Sequence, residues 1–170
     1  MKRIVKLIII LSLFVQVGLA QTAKTEEEYK IVYDSIVSRL TLVEKKADCC
    51  VGKSFSELVK LLDKYGATIL RVKAMDYDSE KLYPQHVFGI KVTFTTEECT
   101  DFAWRHDLLE PFVFIDFKES KPYEKALSLL KKYKSHFAEE MEEFYSDAVI
   151  KSIGFYFMDN MYGPMYKKDE

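Results

Sequence analysis

The chain has 170 residues, of which 48% are hydrophobic and 31% charged, with a formal net charge of −2. That composition fits a single folded domain and excludes a disordered, collagen-like or linker-like chain. Lys and Arg number 25 against 27 Asp and Glu, so no basic excess steers the protein to nucleic acid.

The first twenty residues read MKRIVKLIIILSLFVQVGLA. Three basic residues precede an apolar run from Leu7 to Val15, broken only by Ser12, and Gly18 and Ala20 supply small residues. This is the pattern of a cleaved secretory signal over 1–20, with a mature chain from Gln21 in the periplasm or outside the cell. The apolar run is shorter than the ~20 residues a spanning helix needs. No later segment approaches that length, so no membrane span is expected after cleavage. Without Lys2, Arg3 and Lys6, 22 basic residues face 27 acidic ones, a balance that favours solubility. Residues 21–170 are expected to form one domain ending in a flexible tail over 158–170.

Thr25 and Glu28 have the spacing of a capping box. Tyr29, Val32, Ile36, Leu40, Val43 and Ala47 then recur every three or four residues, which predicts a helix over 26–47. Ser54 and Glu57 repeat the capping spacing ahead of Phe55, Leu58, Leu61, Leu62 and Tyr65, with Gly66 as a stop. A helix over 55–65 follows. The segment VGKSFSELVKLLDKYGATI, residues 51–69, resembles the opening Gly-x-Ser, helix, Gly and strand of PASTA domains, which bind cell-wall material. The resemblance covers this segment alone, and no function is carried over from it.

Ala67 to Met75 is rich in Ile, Leu and Val and reads as a strand. His86 to Thr95 alternates cleanly, with Phe88, Ile90, Val92 and Phe94 on one side and Gly89, Lys91, Thr93 and Thr95 on the other. Period two predicts a strand covered on one face only. Gly89 and Gly154, each alone inside a strand, point to bulges or close packing. One irregular helical turn is expected around 102–108. Phe112 to Phe117, apolar on both sides apart from Asp116, reads as a central strand. Ser120 and Pro122 open one long helix with an inner stripe of Ala126, Leu130, Tyr133, Phe137, Met141 and Phe144, and Ala148 to Phe157 is the last strand. The order α-α-β-β-β-α-β predicts a two-layer α+β fold. Its helices pack mainly on one face of a roughly four-stranded mixed or antiparallel sheet. Were the strands at 112–117 and 148–157 parallel neighbours, their crossover helix would be right-handed.

Three cysteines are present, Cys49, Cys50 and Cys99. In an exported protein an odd count implies one bridge and a free thiol, or pairing with another chain. A bridge between adjacent residues is strained, so the expected bridge joins Cys49 or Cys50 to Cys99. It would close a loop of about 50 residues and contribute ~4 kcal/mol on the chain-entropy model. His86, His106 and His136 lack the spacing of a zinc site. Asp76, Asp78 and Glu80 alternate like the opening of a calcium loop, but Lys81 and Val87 stand where that loop needs Gly and a carboxylate. With no nucleophile elbow and no phosphate-cradling glycine loop, the sequence implies no metal and no cofactor and singles out no catalytic residue.

Two groups of residues stand out for binding. Trp104, Arg105, His106 and Asp107 place an aromatic plane, a carboxylate-binding fork and a titratable imidazole in one expected loop. Met161, Tyr162, Met165 and Tyr166 crowd the tail with the residue types enriched in interface cores. The expectation is an exported, non-catalytic binding module that meets a protein or cell-envelope partner or a second copy of itself. The alternative is a small periplasmic or secreted hydrolase drawing its acid and base from Asp116, Glu110 or residues 104–107.

Overall fold

A computed structural model describes residues 23–75 and 86–157. The signal segment 1–20, the acidic loop with Asp76, Asp78 and Glu80, and the tail with Met161, Tyr162, Met165 and Tyr166 lie outside the described residues. Helix α1 spans Glu26–Ala47, as its periodicity predicts. Its start is fastened by the expected chemistry. Thr25 Oγ1 accepts from the Glu28 amide at 3.2 Å, and the Glu28 carboxylate accepts from the Lys24 amide at 2.8 Å. A 3-10 turn, Asp48–Cys50, leads to α2, Phe55–Lys64. Ser54 does not cap this helix. Its hydroxyl is engaged with that of Ser56 at 2.9 Å, and Glu57 pairs with Lys60 at 2.7 Å. Gly66 then takes φ +70°, the left-handed exit expected of a glycine stop.

The sheet contains β1 (Arg71–Met75), β2 (His86–Thr93), β3 (Phe112–Pro122) and β4 (Ile150–Tyr156), in the spatial order β1-β2-β3-β4. Every pairing is antiparallel. The strands at 112–122 and 150–156 are therefore antiparallel neighbours, and the chain between them makes an excursion rather than a crossover. Helix α3 (Glu97–Arg105) separates β2 from β3, and α4 (Tyr123–Lys132) and α5 (Glu139–Tyr145) separate β3 from β4.

Register builds the core. Val72, Val92, Val113 and Phe155 lie side by side across the four strands, and Ala74, Ile90, Ile115 and Ile153 form the next row. Against these rows pack Leu40 and Val43 of α1, Phe55, Leu58 and Leu62 of α2, Ala126 and Leu129 of α4, and Met141 and Tyr145 of α5. The two-layer α+β reading is thus what the chain adopts.

Four local expectations are corrected. The single long helix after Pro122 is two helices, because Lys134 and Ser135 take φ of +49° and +64° and end α4. The chain then runs beside β1. The Val72 amide donates to the Ser135 carbonyl at 2.9 Å, and the Phe137 amide donates to the Leu70 carbonyl at 2.8 Å. The irregular turn near 102–108 is instead a regular nine-residue helix that starts earlier, with Thr96 Oγ1 accepting from the Cys99 amide. Phe88 does not face the core. An irregularity between Val87 and Gly89 inverts the alternation, so Val87 is buried and Phe88 is exposed. Finally, the second face of β2 is not bare, since Thr93 and Thr95 are buried at 4% and 1% exposure.

Both glycines inside strands serve close approach. A Cβ on Gly89 would stand 2.7 Å from the Ile115 carbonyl oxygen, and one on Gly154 would stand 2.8 Å from the Tyr156 ring. The Tyr145 ring contributes to the core, but its hydroxyl is buried without a hydrogen-bond partner among the described residues. Burial pushes its phenol well above the usual range, and burial with the Glu110 charge does the same for Tyr29. Above about pH 10 the unfolded chain releases these protons while the folded chain retains them, so stability falls as pH rises from there. Urea midpoints measured from pH 8 to 11 are expected to show that decline. Tyr145→Phe should raise stability at neutral pH by ~1 kcal/mol, since it removes an unpaired buried hydroxyl, and should lessen the alkaline decline.

Candidate binding face

The helices α1, α2, α4 and α5 cover one face of the sheet. The opposite face carries Arg71 and Lys73 of β1, Gly89, Lys91 and Thr93 of β2, Phe112, Phe114 and Asp116 of β3, and Ser152, Gly154 and Tyr156 of β4. These side chains divide into an aromatic half and a polar half.

The aromatic half is compact. Phe112 stacks on Tyr156 with ring centres 5.1 Å apart, and Phe114 meets both edge-on at 4.9 Å. Gly154 makes this possible, because the Tyr156 ring lies over the space its side chain would fill. Beside them Ser152 donates to Asp116 at 2.6 Å. Phe114 and Tyr156 keep part of their surface in solvent.

The polar half centres on Glu110. One carboxylate oxygen accepts from the Thr100 hydroxyl at 2.6 Å and from the Thr95 hydroxyl at 3.2 Å, while the other faces Lys91 Nζ at 3.3 Å. Arg71 Nη1 donates to Thr100 Oγ1 at 3.3 Å. The Lys91 ammonium also stands 3.9 Å above the Phe112 ring, joining the two halves through a cation–π contact. Side-chain exposures of 20% for Lys91 and 14% for Glu110 make this a largely desolvated pair. Two polar atoms here, Arg71 Nε and Thr93 Oγ1, are buried with no partner among the described residues. Arg71 and Thr93 are cross-strand neighbours. The face thus sets a buried polar network beside a partly exposed aromatic cluster.

Of the residues singled out in the sequence, one shares an element with this network. Trp104 lies on α3 rather than in a loop and is 84% exposed. It stands four residues beyond Thr100 and so shares its helix face. The other three turn elsewhere. Arg105 reaches back toward Asp101 at 3.8 Å, and His106 stacks on Phe102 at 4.2 Å and approaches Glu26 at 3.5 Å. Asp107 occupies the left-handed position after the helix, with φ +53°. Trp104, Arg105, His106 and Asp107 therefore do not converge. Of the carboxylates considered for acid–base work, Glu110 is tied to Lys91 and the threonines, and Asp116 accepts from Ser152. Arg71, Lys91, Thr95 and Thr100 come from separate elements with no motif spacing, and only burial of the threonines would have marked them.

The cysteines do not pair as expected. All three are free. Cys99 is sealed in a small cluster with Ala23, Tyr29 and Ala103, while Cys50 belongs to the main core. The bridge to Cys99 from Cys49 or Cys50 is therefore not formed, because the folded chain buries Cys99 and Cys50 in separate apolar clusters. No family model matches the chain, and neither a curated protein nor a solved structure gives a significant match.

Proposed function

We propose that this protein is an exported, non-catalytic binding module whose contact surface is Trp104 together with the exposed part of the second sheet face. The observation that carries the reading is Trp104 itself, 84% exposed on the helix whose Thr100 joins the Glu110 network. Trp is the residue type most enriched among binding hot spots, where its large ring is desolvated by a partner. Phe114 and Tyr156, backed by the buried Phe112, supply apolar contact area. Lys73, exposed on the same face, supplies a polar contact. A protein or cell-envelope component presenting an apolar group next to a polar one suits this surface, and a second copy of the chain is included in that class.

Photocrosslinking in the producing cell tests the proposal. A photoreactive phenylalanine analogue at position 104 or 114 should capture one species of defined mass. The same analogue at Lys60, on the helical side, should capture none. Equal capture from all positions, or none from 104 and 114, would refute the reading.

A hydrolase has one contact in its favour, Ser120 Oγ at 3.2 Å from His86 Nδ1. Labelling of Ser120 by a fluorophosphonate, abolished by His86→Gln, would establish that alternative instead.

A further inference from the structure

We propose that Cys49 and Cys50 form a thiol–disulfide exchange site, closing on each other when a disulfide oxidant reaches Cys49. Three observations converge on it. The two sulfurs are 3.9 Å apart. Cys49 is exposed and Cys50 is buried, so one thiol can meet a reagent while the other waits behind it. Both open on a depression of about 210 Å³ that Lys53, Lys60 and Lys64 also line. Glu57, in the same lining, is already paired with Lys60. The surplus positive charge attracts an anionic disulfide.

The exchange proceeds in two displacements. Cys49 loses its proton to solvent, and its thiolate attacks one sulfur of the oxidant, breaking the oxidant's S–S bond. A mixed disulfide forms, and the first leaving thiolate takes up a proton. Cys50, deprotonated in turn, attacks the Cys49 sulfur and expels the second leaving thiolate, which is protonated likewise. Two protein thiols are oxidised to one disulfide, and the oxidant is reduced to two thiols. The order is fixed by the fold. Burial and the hydrogen bond with Cys49 push the Cys50 thiol up to about 11, which leaves the exposed Cys49 to attack first. Adjacent Cα atoms lie ~3.8 Å apart, shorter than the ~4.4–6.8 Å that ordinary disulfides adopt, so such a bond is strained and readily reduced. The site is thus reversible.

Oxidised glutathione on the native full chain tests this, followed by alkylation and tryptic mapping of the peptide spanning 47–53. Reduced protein should carry two alkyl groups on that peptide after denaturation. Oxidised protein should carry none and weigh two hydrogens less, and excess reduced glutathione should restore both sites. Cys50→Ser should trap glutathione on Cys49, and Cys49→Ser should leave the peptide unmodified by glutathione under the same treatment. Stable glutathione on wild-type Cys49, a dimer linked through Cys49, or no reaction would each overturn the proposal.

Discussion

Phe55→Ala is expected to cost about 3–5 kcal/mol of unfolding free energy, the range for deleting a fully buried aromatic ring. Phe55 has no solvent exposure and meets Phe117, Phe137 and Tyr145 edge-on, each with ring centres 6.3 Å apart. Those three rings belong to β3, the segment beside β1, and α5. One side chain therefore joins α2 to three other parts of the fold, and the cavity left by its removal has walls that cannot collapse together. Against a typical domain stability of ~5–15 kcal/mol, the variant should lose about a fifth of its stability or more. Urea titration measures it, with Phe55→Leu as the control expected to lose less than about 1.5 kcal/mol. A loss below about 1 kcal/mol for Phe55→Ala would show that this ring is not the hub of the core.

Glu110→Ala should be the most damaging charge deletion among the described residues, at about 3 kcal/mol, because it strands Lys91 in a desolvated place. It also removes the acceptor for the hydroxyls of Thr95 and Thr100. Exposed pairs such as Arg105 with Asp101 behave differently and are worth ~0–1 kcal/mol. The distinguishing measurement is a double-mutant cycle with Lys91→Met. If Lys91 is the stranded group, Lys91→Met should recover part of the loss in the Glu110→Ala background. Additive losses, or a loss from Glu110→Ala as small as that of a surface pair, would contradict the burial of this network.

The sequence made some of this arrangement legible and hid the rest for identifiable reasons. Thr25 announced the start of α1 because capping is local chemistry, and the six-residue apolar stripe after it has no competing period. Gly66 marked the exit of α2 in the same way. The break after α4 was hidden because Ala126, Leu130, Tyr133, Phe137 and Met141 keep helical spacing straight across it. No Gly or Pro announces the turn, and Lys134 and Ser135 adopt left-handed backbone where the following segment pairs with β1. That is a tertiary demand, invisible to local propensity. Phe88 was misplaced because an irregularity shifts the phase of β2 near Gly89, although the glycine itself was a visible warning. The binding face was half legible. Trp104 and Glu110 stood out as residue types, whereas Thr93 and Thr95 looked like solvent-facing positions. Alternation reports which side of a strand a residue faces but not what covers that side.

The short segment at 135–137 has a consequence for assembly. A sheet grows by adding strands at its edges, and natural sheets limit this by covering them. Here the outer edge of β1 is occupied, with the Val72 amide and the Leu70 carbonyl already bonded to Ser135 and Phe137. At the other margin, Lys53 holds only the beginning of β4, through the Ile150 amide at 2.8 Å. No strand among the described residues lies beside β4 from Lys151 to Tyr156. Among the described residues, growth of this sheet is therefore open in a single direction. Two copies joined β4 to β4 would make one continuous sheet whose ends are both blocked β1 edges. Such an association stops at two, giving a closed dimer instead of an open fibre.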